Sequence, residues 1–136
     1  MAAVERLKRR CDFLRVSDVR RKWVAPGLIL QALRRDHDAG AEADGIRVGF
    51  TASRRVGGAV ARNRARRRLR AAADEILPKH ALPGHDYVVI ARSGTLTRPY
   101  GGLIDDLTEA LQRLGLYRAA ESEASARPLP AGNGQA

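Results

Sequence analysis

IRVGFTASRRVGGAVARNRARRRLRAAADEIL, residues 46–77, changes its period part-way along, and that change decides the fold. Over its first eight residues Ile46, Val48, Phe50 and Ala52 alternate with Arg47, Gly49, Thr51 and Ser53. That two-residue period is a strand with one face on a core. After Val56-Gly57-Gly58 the spacing lengthens: Ala61, Ala65, Leu69, Ala72 and Ile76 follow at intervals of 4, 4, 3 and 4. This is the stripe of an amphipathic helix, made of residues small enough for it to lie close to a sheet. Pro78 is expected to end that helix.

The same stretch holds the charge. From Arg47 to Ala73 there are nine arginines (47, 54, 55, 62, 64, 66, 67, 68 and 70) and no acid. The whole chain of 136 residues has 25 Lys+Arg and 15 Asp+Glu, a net +10, so the window carries +9 and everything else +1. A solvated helix face needs no such excess. Nine uncompensated arginines repel one another and cost stability unless something polyanionic binds them.

Working outward, residues 5–16 place Leu7, Phe13, Leu14 and Val16 among charges, as in a short amphipathic helix. VRRKWV (19–24) reads as a short edge strand, Pro26-Gly27 as a break, and LILQAL (28–33) as a mostly buried strand. DHDAGAEADG (36–45) is a polar surface connection. Beyond the long helix, DYVVIA (86–91) is another buried strand. Tyr100 to Leu116 is a last helix with Leu103, Leu107, Leu111 and Leu114 at helical spacing. From Arg118 the composition turns to Ala, Ser, Glu, Pro and Gly, so 1–117 is expected to be one α+β domain and 118–136 a disordered tail.

Several function classes drop out. Cys11 is the single cysteine, which excludes an internal disulfide and a cysteine-based zinc site. No run approaches the roughly 18 apolar residues of a membrane helix. MAAVERLKRRCDF is charged within five residues, unlike a signal peptide, so a soluble cytoplasmic protein is expected. His37, His80 and His85 all fall in expected connections, with no nucleophile or carboxylate in a motif to pair with them. His37 between Asp36 and Asp38 is not preorganised for a metal. Neither GxxxxGK[ST] nor G-x-G-x-x-G occurs. The protein is not expected to be an enzyme on its own.

The long helix is what remains. Arg62, Arg66 and Arg70 align at i, i+4 and i+8, with Asn63 and Arg67 in an adjoining row and Arg64 and Arg68 flanking the other side. Arginine suits phosphate because its planar fork donates two parallel hydrogen bonds and stays ionised. Arg54 and Arg55 add donors where the strand ends, and helix N-terminal amides favour an anion. No helix-turn-helix, zipper or zinc finger accompanies the helix, so a DNA groove is the poorer match. A sheet with a basic helix at its edge fits a shaped RNA better.

With those residues in place, a resemblance is plain. VGFTASRRVGGAVARNRARRRLRAAA (48–73) resembles the signature of the bacterial ribonuclease P protein subunit. LKRRCDFLRV (7–16) is similar to that family's basic start followed by Asp-Phe-x-x-Val, and HDYVVIARSG (85–94) to its last strand. The resemblance covers about residues 6–116. It implies an α-β-β-β-α-β-α order with a left-handed crossover between the last two strands, a topology shared with a ribosomal protein domain. It also implies a protein that assists a catalytic RNA in removing the 5′ leader of precursor tRNA, with magnesium held mainly by the RNA and no catalytic residue in this chain. Carried over, the RNA-binding residues are Arg54, Arg55, Arg62, Asn63, Arg64, Arg66, Arg67 and Arg70. A leader-binding cleft between the first helix and the sheet takes Phe13 and Phe50.

The chain departs from the family pattern in that cleft. Ser17 stands where a second aromatic is frequent, and Gln31 where another is common in the following strand. Base stacking contributes about 1–3 kcal/mol per base, so a weaker hold on the leader is expected. Two further readings stand beside this one: a structural RNA-binding protein with a similar body, and a DNA-binding regulator. Leader-dependent affinity separates the first, and the dimer such a regulator usually forms would expose the second in sedimentation.

Overall fold

The computed structural model describes residues 4–7, 10–18, 21–34 and 45–118. Its elements are β1 (Val4–Arg6), α1 (Arg10–Asp18), β2 (Lys22–Val24), β3 (Leu28–Arg34), β4 (Ile46–Thr51), α2 (Ala59–His80), β5 (His85–Ala91), a 3-10 turn at Ser93–Thr95, and α3 (Tyr100–Arg113). The five strands form one sheet in the order β1-β4-β5-β3-β2. β4 runs parallel to both β1 and β5, and β3 runs antiparallel to β5 and β2. Because β4 and β5 are parallel neighbours, α2 is the crossover between them. The expected α-β-β-β-α-β-α order is present, preceded by an extra strand.

That strand corrects the reading of 5–16 as one helix. Glu5 and Arg6 belong to β1, and the helix begins at Arg10. Val4, Glu5 and Arg6 pair with Ile46, Arg47 and Val48, and the Leu7 N–H donates to Val48 O at 2.9 Å. The outer edge of β4 thereby receives partners for backbone groups that a helix at 5–7 would have left open. Of the expected connection over 36–45 only Gly45 is described, and of the expected tail only Arg118; the rest lies outside the described residues.

Strand parity divides the molecule into two packed faces. Leu28, Leu30 and Ala32 of β3, Ile46 and Val48 of β4, and Tyr87, Val89 and Ala91 of β5 are buried against Ala65, Leu69, Ala72, Ala73, Ile76 and Leu77 of α2 and Leu103, Leu107, Ala110 and Leu111 of α3. On the opposite face Leu7, Val16 and Val88 form a smaller cluster with Phe13, Leu33 and Ile90 around it. β5 is the central strand, buried on both sides, which explains the near-continuous apolarity of DYVVIA.

Pro78 does not stop α2, which runs on to His80. Proline in a last turn forfeits one helical bond, here to the exposed Asp74, and the end is secured otherwise. Ala81 N–H donates to Leu77 O at 3.1 Å, Arg118 Nη2 donates to Pro78 O at 3.1 Å, and the His80 ring stacks on Tyr117 at 5.0 Å. α3 ends at Arg113, three residues before the expected Leu116. Gly115 takes φ +74°, Gly115 N–H donates to Gln112 O at 3.1 Å, and Leu116 N–H donates to Leu111 O at 2.8 Å. This is a Schellman closure, and it requires the left-handed residue that glycine supplies.

Candidate RNA interface

The chain leaves β4 through a tight turn. Val56 N–H donates to Ser53 O and Gly57 N–H to Arg54 O, both at 3.1 Å, and the Arg55 N–H donates to Ser53 Oγ at 3.3 Å. Gly57 sits at φ +147°, where a Cβ would also come within 2.8 Å of Ala61 Cβ. The turn leaves Arg54 and Arg55 exposed at the head of α2.

On α2 the expected rows are present. Asn63, Arg64, Arg67 and Arg70 are exposed, while Arg62 and Arg66 are half-buried along one border of the apolar stripe. Arg66 Nη2 donates to Asn63 Oδ1 at 2.7 Å, so the one uncharged polar residue in the run aims a neighbouring guanidinium. Neither Arg54, Arg55, Arg62, Arg64, Arg67 nor Arg70 forms an ion pair with a described residue. Two arginines of the charged window behave differently. Arg47 lies on the other face of the sheet and grips the buried Asp86 with both forks, Nε–Oδ1 2.8 Å and Nη2–Oδ2 2.6 Å. Arg68 is half-buried and donates from Nε to Thr95 O at 3.0 Å and from Nη2 to Arg98 O.

The cleft residues are only partly brought together. Phe13 of α1 is half-buried with its ring over Gly49: a Cβ on that glycine would fall inside the contact distance of Phe13 Cε1 and Cζ, and 3.2 Å from Leu7 Cβ. Gln31 is on the same face of the sheet, two residues before Leu33 and paired in register with Val88 and Lys22. Beyond it the floor continues through Ile29, Ile90 and Val24, the last 48% exposed. Phe50 is not part of this surface. It follows Val48 in parity, packs against the larger core on the α2 side, and lies under the Arg6 guanidinium at 5.4 Å. Ser17 is a residue of α1, but its side chain lies outside the described residues.

The sequence reading also missed groups that the fold collects here. Parallel β4 and β5 end at the same side of the sheet, so Arg92, which follows β5, joins Arg54 and Arg55 there. It is exposed and also donates from Nη1 to Ala25 O at 2.7 Å. A lone arginine after an apolar run gives no signal until the strand pairing is known. Two of the three histidines are not in connections as expected: His80 closes α2 and His85 opens β5, each with Nδ1 3.0 Å from a backbone carbonyl, Arg118 O and Pro83 O, while His37 lies outside the described residues.

With this geometry in hand, the family model named Ribonuclease P matches residues 1–115. The chain belongs to the ribonuclease P protein family. Among curated relatives, a ribonuclease P protein component of Paramagnetospirillum magneticum is 54% identical over 130 residues, spanning 93% of this chain and 97% of the relative. That of Ruegeria pomeroyi is 55% identical over 109 residues, 79% of this chain and 84% of the relative. Among solved structures, the Thermotoga maritima RNase P protein superposes with TM-score 0.62 at 26% identity, over 80% of this chain and 96% of that one. The Staphylococcus aureus RNase P protein superposes with TM-score 0.67 at 22% identity, over 83% of this chain and 97% of that one, and shares the fold. In ribonuclease P terms, the Arg-Asn-Arg helix and the α1 cleft occupy opposite faces of the sheet, joined around the edge where β4 turns into Arg54 and Arg55.

Proposed function

We propose that this chain is the protein component of ribonuclease P and binds a catalytic RNA through α2 and the 5′ leader of precursor tRNA along the α1 face. The observation that carries the reading is the arginine row of α2, without acidic partners among the described residues, in a chain whose family is that of ribonuclease P. Arg54, Arg55, Arg62, Asn63, Arg64, Arg66, Arg67 and Arg70 engage phosphates and 2′-hydroxyls, with Asn63 holding Arg66 in place. Thr51 and Ile90 at the end of the cleft lead to Arg54, Arg55 and Arg92, a continuous track on which a single strand can pass from one face to the other.

Within the cleft the leader meets Phe13 and a floor of Gln31, Ile29, Ile90 and Val24 rather than a set of aromatic rings. Gln31 supplies an amide in place of a stacking platform, so the leader is held more by backbone charge than by stacking. Magnesium in this reading belongs to the RNA. The described residues do not fit a metal: no group of three or more His, Cys, Asp or Glu among them comes together to hold one. The protein's contribution is to orient and neutralise phosphates near the scissile bond. No described helix is long and apolar enough to cross a membrane, and the reading places the protein in the cytoplasm with its RNA.

Reconstitution tests this. Added to its cognate RNA at low magnesium, the protein should stimulate cleavage of precursor tRNA at the mature 5′ end and bind precursor more tightly than mature tRNA. RNA binding without stimulation or leader preference would favour a structural RNA-binding role. Cleavage by nuclease-free protein alone, altered in its arginine variants, would place the chemistry in the chain and overturn the reading.

A further inference from the structure

Arg68 looks, in sequence, like one more phosphate ligand in RNRARRRLR. Its surroundings are unlike those of its neighbours. It sits on the flank of α2 opposite the Arg62–Arg66–Arg70 border, and its guanidinium spans two backbone carbonyls three residues apart, Thr95 O and Arg98 O. A planar fork with fixed donors bridges two such oxygens in only one orientation, which a flexible ammonium does not reproduce.

The segment it holds is rigid and anchored to the sheet. Thr95 is fully buried: its Oγ1 donates to Gly27 O at 2.6 Å and accepts from Arg92 N–H at 2.9 Å. Arg98 is bidentate to Asp106, at 2.6 and 3.0 Å, and the same buried carboxylate accepts the Gly27 N–H at 2.8 Å. Neither Gly94 nor Gly27 has room for a Cβ, which would meet Pro26 O at 2.8 Å in one case and Leu103 Cδ2 at 2.6 Å in the other. Pro26 and Gly27 form the turn between β2 and β3, the strands that carry Val24, Ile29 and Gln31. A continuous set of bonds therefore runs from α2 through the 92–98 segment to the far end of the cleft floor.

We propose that Arg68 is a positioning residue, which clamps the roll of the arginine helix to the sheet edge and so fixes the phosphate-binding row relative to the leader cleft, without itself contacting RNA. This rests on the RNA-binding reading above. Rotating α2 by one residue's worth would swing Arg64 and Arg67 by about 100° around its axis, so a clamp on the buried flank controls where the exposed row points.

The test compares Arg68 with Arg67 in the reconstituted ribonucleoprotein. Arg67→Ala is expected to flatten the salt dependence of RNA binding by about one phosphate contact, with Arg67→Lys close to wild type. Arg68→Lys and Arg68→Gln should both lower the preference for precursor over mature tRNA by about twofold to thirtyfold, the range for a remote packed residue. The salt slope should not change, and the assay is run well below each variant's melting temperature. In the unaltered protein, the Arg68 Nε–H resonance should stay put on addition of the RNA while that of Arg67 moves, a readout independent of whether any variant folds. Arg68→Lys behaving as wild type, a lost contact in the slope of Arg68→Gln, or a shifted Arg68 resonance would each overturn the clamp. If Arg67→Ala itself leaves RNA binding untouched, the RNA-binding reading has failed, not merely this inference.

Discussion

Phe13 rests on Gly49: the α1 ring occupies the space that a side chain at the middle of β4 would need. The contact sets how closely the first helix approaches the sheet and therefore how wide the cleft beside it is. Gly49→Ala should push the ring aside and cost about 1–3 kcal/mol, as overpacking does. Precursor binding should fall with it while the salt slope is kept. Phe13→Ala should cost less than the about 3–5 kcal/mol of a fully buried phenylalanine, because the side chain is only partly buried. Denaturant titration of both variants, beside binding to precursor and mature tRNA, separates packing from leader contact.

Asp106 is the buried end of the 92–98 network, serving both Arg98 and the Gly27 N–H. Removing one partner of a fully buried pair costs about 3–5 kcal/mol, and less here because Arg98 remains one-third exposed to water. Asp106→Ala should therefore be among the most destabilising single changes in the protein. Asp106→Asn, which can still accept from Gly27, should recover part of the loss in urea unfolding.

Arg47 and Arg67 are equivalent by charge and not by role. Arg47→Ala leaves Asp86 buried without its bidentate partner, so it should lower the melting temperature and leave the salt slope of RNA binding unchanged. Arg67→Ala should do the reverse, with a slope reduced by about 0.7 to 0.9 for its one phosphate. A matched pair of salt titrations and thermal melts reads both.

Tyr100 OH donates to Glu75 Oε2 at 3.0 Å, joining the first turn of α3 to α2. Burial, then that hydrogen bond and the Glu75 and Asp74 charges, hold the phenol above its usual value of 10.0. The phenol is neutral at lower pH, so the stabilisation is complete below pH 10 and is lost as pH rises through the raised value. Tyr100→Phe should remove this alkaline loss, visible as a flatter stability profile above pH 10.

The long helix was legible because its period is long: five stripe positions in register leave no alternative, and Ala65, Leu69, Ala72 and Ile76 are buried as the spacing requires. β1 was not. Three residues, Val-Glu-Arg, are too few for a period, and what makes them a strand is a partner more than forty positions away. Phe50 could have been placed from the sequence, since it alternates with Gly49 and shares parity with Val48; the family resemblance drew it to the wrong face. Arg68 could not, because its partners are backbone carbonyls, which have no residue signature. Helical spacing located the arginine row, while the two arginines of the charged window that serve the fold could be told apart from it only by their partners, the Asp86 carboxylate and the Thr95 and Arg98 carbonyls.

The order of the sheet has a consequence for solubility. Both outer strands, β1 and β2, are three residues long, and β2 presents Lys22 beside the exposed Arg21, while the long strands are all interior. Short borders, charged on both strands and cationic on β2, give a neighbouring chain little to template on. A chain lacking residues 1–6 would uncover the outer edge of β4 over Ile46–Val48, and light scattering should find it self-associating even though its arginine helix is intact. Three residues of β1 thus close a border that β4 would otherwise present to a neighbouring chain.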